Sequence, residues 1–297
     1  MGWTLDHDLD RFTAAAGAHL RSRAVENSVL LTVLDTLQRR GTDAYGAEPP
    51  LFGHWRPDGG GEVAAAVLQT PPHPPLVSAA PPDAAAALPG AWAAAVAAGR
   101  AGTPAGVRGE AAAARAFGDG WRARTGDTVA VRRNTRFHRL AGLTPREPAP
   151  PGAARVAGPA DRDLLWRWHQ EFAVSVGGIL PGGQKAVDDA IAHGGRTLWE
   201  RPDGRPVAMA GSTVPAAGAV RVVAVYTPQA HRGRGYAGAV VAAVSRAALD
   251  AGASEVLLVT DLANPVSNGL YEKLGYRPVR DAVELDFLPR EPEAATA

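Results

Sequence analysis

The chain has 297 residues, enough for two domains that each bury a core of their own. Its formal charge of +1 gives no electrostatic footing for nucleic acid or an anionic membrane, so any basic character that matters must be local. The absence of cysteine excludes disulfides, thiolate metal sites and covalent acyl-cysteine chemistry, and it suits a reducing cytoplasm. The opening M-G-W-T-L-D-H-D-L-D has neither a basic n-region nor an apolar h-region, and no apolar run reaches about 18 residues. The expectation is a soluble, cytoplasmic protein without signal peptide or membrane span.

In chain order, Leu5 to Arg40 carries two helical patterns, the second marked by Val29, Leu30, Val33, Leu34 and Leu37 at three- and four-residue steps. After a loop, Leu51–Trp55 and Val63–Gln69 read as a hairpin around the turn R-P-D-G at Arg56–Gly59. A strand at Leu76–Ala79 lies between proline clusters. Ala84–Ala98 and Gly109–Thr125 read as helices and Val129–Leu140 as a long strand, before the linker-like T-P-R-E-P-A-P-P-G-A at Thr144–Ala153.

The second half opens with a short strand at Ala154–Val156, then helices at Asp161–Val176 and Gln184–Ala192. R-P-D-G then recurs at Arg201–Gly204, 145 positions on (from 56 to 201), again between two strand patterns, Thr197–Glu200 and Val207–Ser212. The flanking order of strands and helices repeats as well, so the chain reads as two copies of one unit. The expected division is 1–145 for the first copy, 146–153 for a linker, 154–290 for the second copy and 291–297 for a tail.

Val220 to Ala237 is the most informative stretch. A β-branched run through Val225 reads as a buried strand, Thr227-Pro228 ends it, and H-R-G-R-G-Y-A leads into the apolar helical pattern Ala237–Leu249. Two glycines let the backbone approach a ligand, the first N–H groups of the helix lack internal partners, and Arg232 and Arg234 add charge, so a phosphate is the natural guest. A P-loop is dismissed because no lysine followed by a hydroxyl residue sits in the required place. Gly233-x-Gly235-x-x-Gly238 formally fits a dinucleotide fingerprint, but Pro228–Arg232 separate it from the strand and too little chain follows for a second mononucleotide half.

Arg232-x-x-Gly235-x-Ala237 also meets R-x-x-G-x-[GA], and after a strand at Glu255–Thr260 comes D-L-A-N-P-V-S-N-G-L-Y-E-K-L-G-Y, Asp261–Tyr276. On these two blocks the sequence resembles the GNAT superfamily of acyl-CoA-dependent N-acyltransferases, closely in the second half and in outline in the first. The resemblance implies an α/β chain of the α+β type with two such domains. Each would be a mixed, mostly antiparallel sheet flanked by helices, with the fourth and fifth strands splayed in the second copy. At the phosphate-loop offset the first copy has A-L-P-G-A-W-A, Ala87–Ala93, without arginine, and Gly106–Phe117 there has neither asparagine nor tyrosine. The first copy is therefore expected to be degenerate.

The resemblance also implies roles. Arg232, Gly233, Arg234, Gly235, Tyr236 and Ala237 would hold the diphosphate of acetyl-CoA. Ala224, Val225 and Tyr226 would bond the pantetheine arm through main-chain groups, one N–H facing the thioester carbonyl. Tyr271 would be the general acid toward the departing sulfur, a phenol of pKa about 10 being protonated at neutral pH. Asn264 and Asn268 would touch the pantetheine or thioester, although Asn264 before Pro265 is also an ordinary helix cap.

Arg221 is the only charged residue on the fourth strand, where many relatives carry a glutamate, so the general base is unassigned. Asp261 is offered as a water-mediated relay, against its reading as a turn former. The acceptor pocket would use Trp166, Trp168, His169, Glu171 and Phe172 through Gly177-Gly178-Ile179. Acetyl transfer to an amine of a small molecule or peptide is the expectation, with no metal, no nucleic acid or membrane partner, and a monomer in preference to a homodimer. The rival of another class is a non-catalytic acyl-CoA-binding sensor or scaffold, which would not need Tyr271.

Overall fold

The computed structural model describes residues 2–57, 60–177 and 183–290. Contacts divide the chain into two compact units, Met1–Arg136 with Asp261–Ala263 and Arg280–Ala297, and Phe137–Thr260 with Asn264–Val279.

The first unit runs β1 (Gly2–Asp6), α1 (Leu9–Ser22), α2 (Ser28–Arg40), β2 (Leu51–Arg56), β3 (Ala65–Gln69), β4 (Leu76–Val77), α3 (Pro82–Ala97), β5 (Gly106–Glu110), α4 (Ala111–Thr125) and β6 (Thr128–Leu140), the last crossing into the second unit after Arg136. Asp8 starts α1 by accepting from the Arg11 N–H, and Phe12, Ala16 and Leu20, four residues apart, are buried. β1 to β4 pair antiparallel in succession, and β4 pairs parallel with β5.

The second unit repeats that order: β7 (Ala153–Val156), α5 (Arg162–Ser175), α6 (Gly183–Ala192), β8 (Arg196–Glu200), β9 (Pro206–Ser212), β10 (Ala219–Tyr226), α7 (Tyr236–Asp250), β11 (Glu255–Asp261), α8 (Pro265–Lys273) and β12 (Tyr276–Leu288). β7 to β10 pair antiparallel in succession, and β10 pairs parallel with β11, so this sheet too is mixed and mostly antiparallel. The β8–β9 hairpin closes through R-P-D-G, with the Gly204 N–H donating to the Arg201 carbonyl at 2.9 Å and Gly204 at φ 77°. In the first unit, Asp58 and Gly59 of the matching turn lie outside the described residues.

The C-terminal strand goes to the first unit, a placement absent from the halves expected of the repeat. Residues 282–286 of β12 pair antiparallel with β5, from Ala282↔Glu110 to Asp286↔Gly106. Val283, Leu285 and Phe287 enter the core with Val107, Trp92, Phe117 and Trp121, Phe287 stacking at 6.0 Å on Phe117. Strict alternation in V-E-L-D-F drives this, since every second side chain faces one side of a sheet. β1 and β5 also differ from the sequence expectation: G-V-R-G-E has one large apolar residue, and its strand state comes from its neighbours rather than from a pattern.

Candidate functional site

Alternating Val220 and Val222 bury β10 against α7. Its ladder with β11 lasts three pairs, Ala219↔Glu255, Val220↔Val256 and Arg221↔Leu257, and then stops, although both strands continue. On the other side β10 follows β9 through Val222↔Ser212 and Val223↔Gly211, then resumes only at Tyr226↔Met209. Ala224 and Val225 form the intervening bulge, with Ala224 at φ 50°. A left-handed conformation in an alanine costs about 1–2 kcal/mol, and such strain persists where surrounding structure over-determines it. The β11-facing edge of β10 beyond Arg221 is thus open to an extended guest, and the bulge turns backbone groups out of the ladder.

Past Pro228 the chain makes a 3-10 turn, Gln229–His231, and the Arg232 Nε donates to the Thr227 carbonyl at 2.9 Å. Gly233 and Gly235 have φ of 76° and 85°, and Gly235 caps α7 without a side-chain hydrogen bond. The first N–H groups of α7 therefore face outward behind two exposed arginines, Arg232 and Arg234. Buried Tyr236 anchors the turn in the core. A Cβ on Gly238 would stand 3.2 Å from Leu270, so the third glycine of the formal dinucleotide pattern serves the packing of α7 on α8.

Asn264 is the N-cap of α8, its Oδ1 accepting from the Ser267 N–H at 3.1 Å, with Pro265 at the first helical position. Asn268 lies one turn on, its N–H donating to the Asn264 carbonyl. Asn264→Ala is expected to cost about 1 kcal/mol of stability through the lost cap, read as a lower urea midpoint. A parallel loss of acetyl-CoA affinity would add a ligand contact to the cap.

Tyr271 is buried, T-shaped against Tyr276 at 6.1 Å, and its hydroxyl has no hydrogen-bond partner among the described residues. Tyr276 differs in this respect, its hydroxyl sharing a 2.6 Å hydrogen bond with Ser245. Burial first, and Tyr276 second, raise the Tyr271 pKa above its ordinary value, holding the phenol neutral.

The structure groups Asp261 differently. Its Oδ1 accepts from the Ala263 N–H in a turn, its other oxygen is 3.6 Å from Arg133, and residues 261–263 belong to the first unit. Both oxygens have work as a turn former and ion-pair partner.

On α5, Leu165, Trp168 and His169 are buried, and Trp166 and Phe172 pack on the same core. Burial and then Arg196 lower the His169 pKa, leaving its imidazole neutral. Glu171 points elsewhere: its Oε2 accepts from the Tyr226 hydroxyl at 2.8 Å. Burial and Glu171 raise the Tyr226 pKa against the opposing pull of Arg232, and the hydrogen bond to Glu171 ties β10 to α5. Sequence spacing does not show that link, because its ends lie 55 residues apart. Gly178 and Ile179 lie outside the described residues. Among the described residues no His, Asp and Glu cluster is placed to hold a metal, and no helix is long and apolar enough to cross a membrane.

Residues 163–276 match the model of a family described as acetyltransferase (GNAT). This span contains the loop, the parted strands and α8. Among solved structures, a Drosophila protein aligns at TM-score 0.67 and 13% identity, over 96% of this chain and 98% of its own. A GCN5-related N-acetyltransferase from Sphaerobacter thermophilus aligns at 0.61 and 18%, over 99% and 98%. A tandem GNAT protein from the clavulanic acid biosynthesis pathway aligns at 0.55 and 13%, over 99% and 100%. At these identities the likeness is one of fold. No curated protein matches the chain.

Proposed function

We propose that this chain, a member of the GNAT superfamily, is an N-acetyltransferase that moves an acetyl group from acetyl-CoA directly to an amine of a small molecule or peptide. The family carries acyl transfer from acyl-CoA; the acetyl group, the amine and the residue roles are the reading put forward here. One observation carries it: β10 and β11 part after three pairs, beside a strained bulge at Ala224 and ahead of a helix start left open behind R-x-x-G-x-A.

In this reading the diphosphate lies on the N–H groups from Gly233 to Ala237 with Arg232 and Arg234 beside it, and the pantetheine arm extends along Ala224–Tyr226. An N–H of the bulge faces the thioester carbonyl and stabilises the oxyanion formed on attack, a kind of contact worth about 10²–10³ in rate. Asn264 and Asn268 flank the arm, and the Tyr271 hydroxyl faces the departing sulfur. Glu171, fixed by Tyr226, is the carboxylate offered to an incoming ammonium group. No side chain is assigned as base: the ammonium gives its proton to solvent, and the amine then attacks as its neutral form. The copy within 1–145 is degenerate, and the protein works as a cytoplasmic monomer.

Thermal shift with acetyl-CoA and with NAD tests the reading, since a ligand bound only by the folded state raises the melting temperature. Acetyl-CoA is expected to stabilise the protein and NAD to leave it unchanged, with the acetyl-CoA shift reduced in Arg232→Ala. Stabilisation by NAD alone would restore the dinucleotide reading.

A further inference from the structure

The segment joining the two copies is tied down rather than loose. The Ala141 N–H donates to the Gly275 carbonyl and the Thr144 N–H to the Leu274 carbonyl, each at 3.0 Å. Gly275, at φ 97°, lets the Gly142 carbonyl occupy the place a Cβ would need. Leu140 and Leu143 pack on the core that holds Tyr271 and Tyr236. Two residues beyond Thr144, Arg146 extends to the phosphate loop, where its Nη1 lies 2.9 Å from the position a Cβ on Gly235 would take.

Arg146 makes no hydrogen bond or ion pair among the described residues, nor does the Arg234 guanidinium, and Arg232 is bonded to a backbone carbonyl. Arg146 beside Gly235, and Arg232 and Arg234 of the loop itself, thus have no carboxylate in ion-pair reach among the described residues. Like charges near one another repel, and an anion placed among them relieves that repulsion. A guanidinium also presents paired donors that match two phosphate oxygens at once.

Resting on the acyl-CoA reading above, we propose that Arg146 is a further binding residue for the coenzyme, reaching its diphosphate from beside Gly235. The loop motif thus receives a third cation from a segment outside the matched span 163–276. Gly235 is required for its positive φ, and without a side chain it leaves the guanidinium room.

The test is titration calorimetry on the full chain, wild type and Arg146→Ala, with coenzyme A, 3′-dephospho-coenzyme A and pantetheine. Arg146→Ala is expected to weaken both nucleotides by about tenfold, the size of a lost charged hydrogen bond, and to leave pantetheine unchanged. The difference should shrink in raised salt. Arg146→Lys should recover part of the loss. Since Arg146 is exposed, the melting temperature should not move, and an equal loss for pantetheine would mark a change of fold and overturn the proposal. Wild-type affinity kept in Arg146→Ala would overturn it while leaving the acyl-CoA reading intact. A loss seen with coenzyme A and absent with the dephospho form would reassign Arg146 to the 3′-phosphate and overturn the diphosphate contact. Wild-type protein that binds neither nucleotide would bring down the acyl-CoA reading and this proposal together.

Discussion

Replacing Tyr271 by phenylalanine is expected to lower kcat about 10–10²-fold, the size of one hydrogen bond to a charged group, while acetyl-CoA affinity stays within about twofold. The ring is retained, so the contact with Tyr276 survives and folding should be unaffected. The magnitudes also say how the hydroxyl acts. A phenol raised above about 10 would pass its proton to a free thiolate of pKa about 8.5 uphill, by about 2 kcal/mol or more. In the proposed reaction its contribution would therefore be a hydrogen bond to sulfur as the C–S bond breaks, with the net proton supplied by the amine that has become an amide. Burial keeps the phenol neutral well past neutrality, so it adds no alkaline limb to kcat below about pH 10. The check is thiol release measured against a panel of amines from pH 6 to 10. Turnover unchanged by Tyr271→Phe across that panel would favour a non-catalytic acyl-CoA binder.

Phe287→Ala is expected to destabilise the protein by about 3–5 kcal/mol, the usual cost of removing a buried aromatic ring. Phe287 stacks on both Phe117 and Trp121 in a core that also holds Val283 and Leu285. Because β12 pairs there with β5, the effect belongs to the first unit, not to the half of the chain in which residue 287 lies. Hydrogen exchange with peptide resolution should show protection lost over residues 106–121 before residues 236–249. Loss confined to residues 153–260 would contradict the strand assignment.

The site was legible where function depends on local chemistry. A loop that leaves a strand, carries two glycines at positive φ and enters a helix writes its own description, and the structure places Gly233, Gly235 and Tyr236 in that geometry. Asn264-Pro265 announces a helix start, and the cap is there. The open stretch of β10 was less legible. Its valines read as a buried strand whether or not a neighbour pairs with it, and the positive φ of Ala224 leaves no trace in the residue type. The Tyr226–Glu171 bond and the seat of Arg146 on Gly235 join positions far apart in the chain, which no spacing rule reaches.

Sequence alone determined most helices and strands of the second copy, its hairpin turn at Arg201–Gly204 and the glycine loop that enters α7, because each arises from steric preferences and periodicities spanning a few residues to one helix. The tertiary structure decided which unit receives β12, where β10 and β11 separate, and that the joining segment brings the Arg146 guanidinium to the glycine loop before α7. Alternation tells a strand which face to bury but not which strand to lie beside, and that choice is made by the whole set of long-range contacts competing for the same edge.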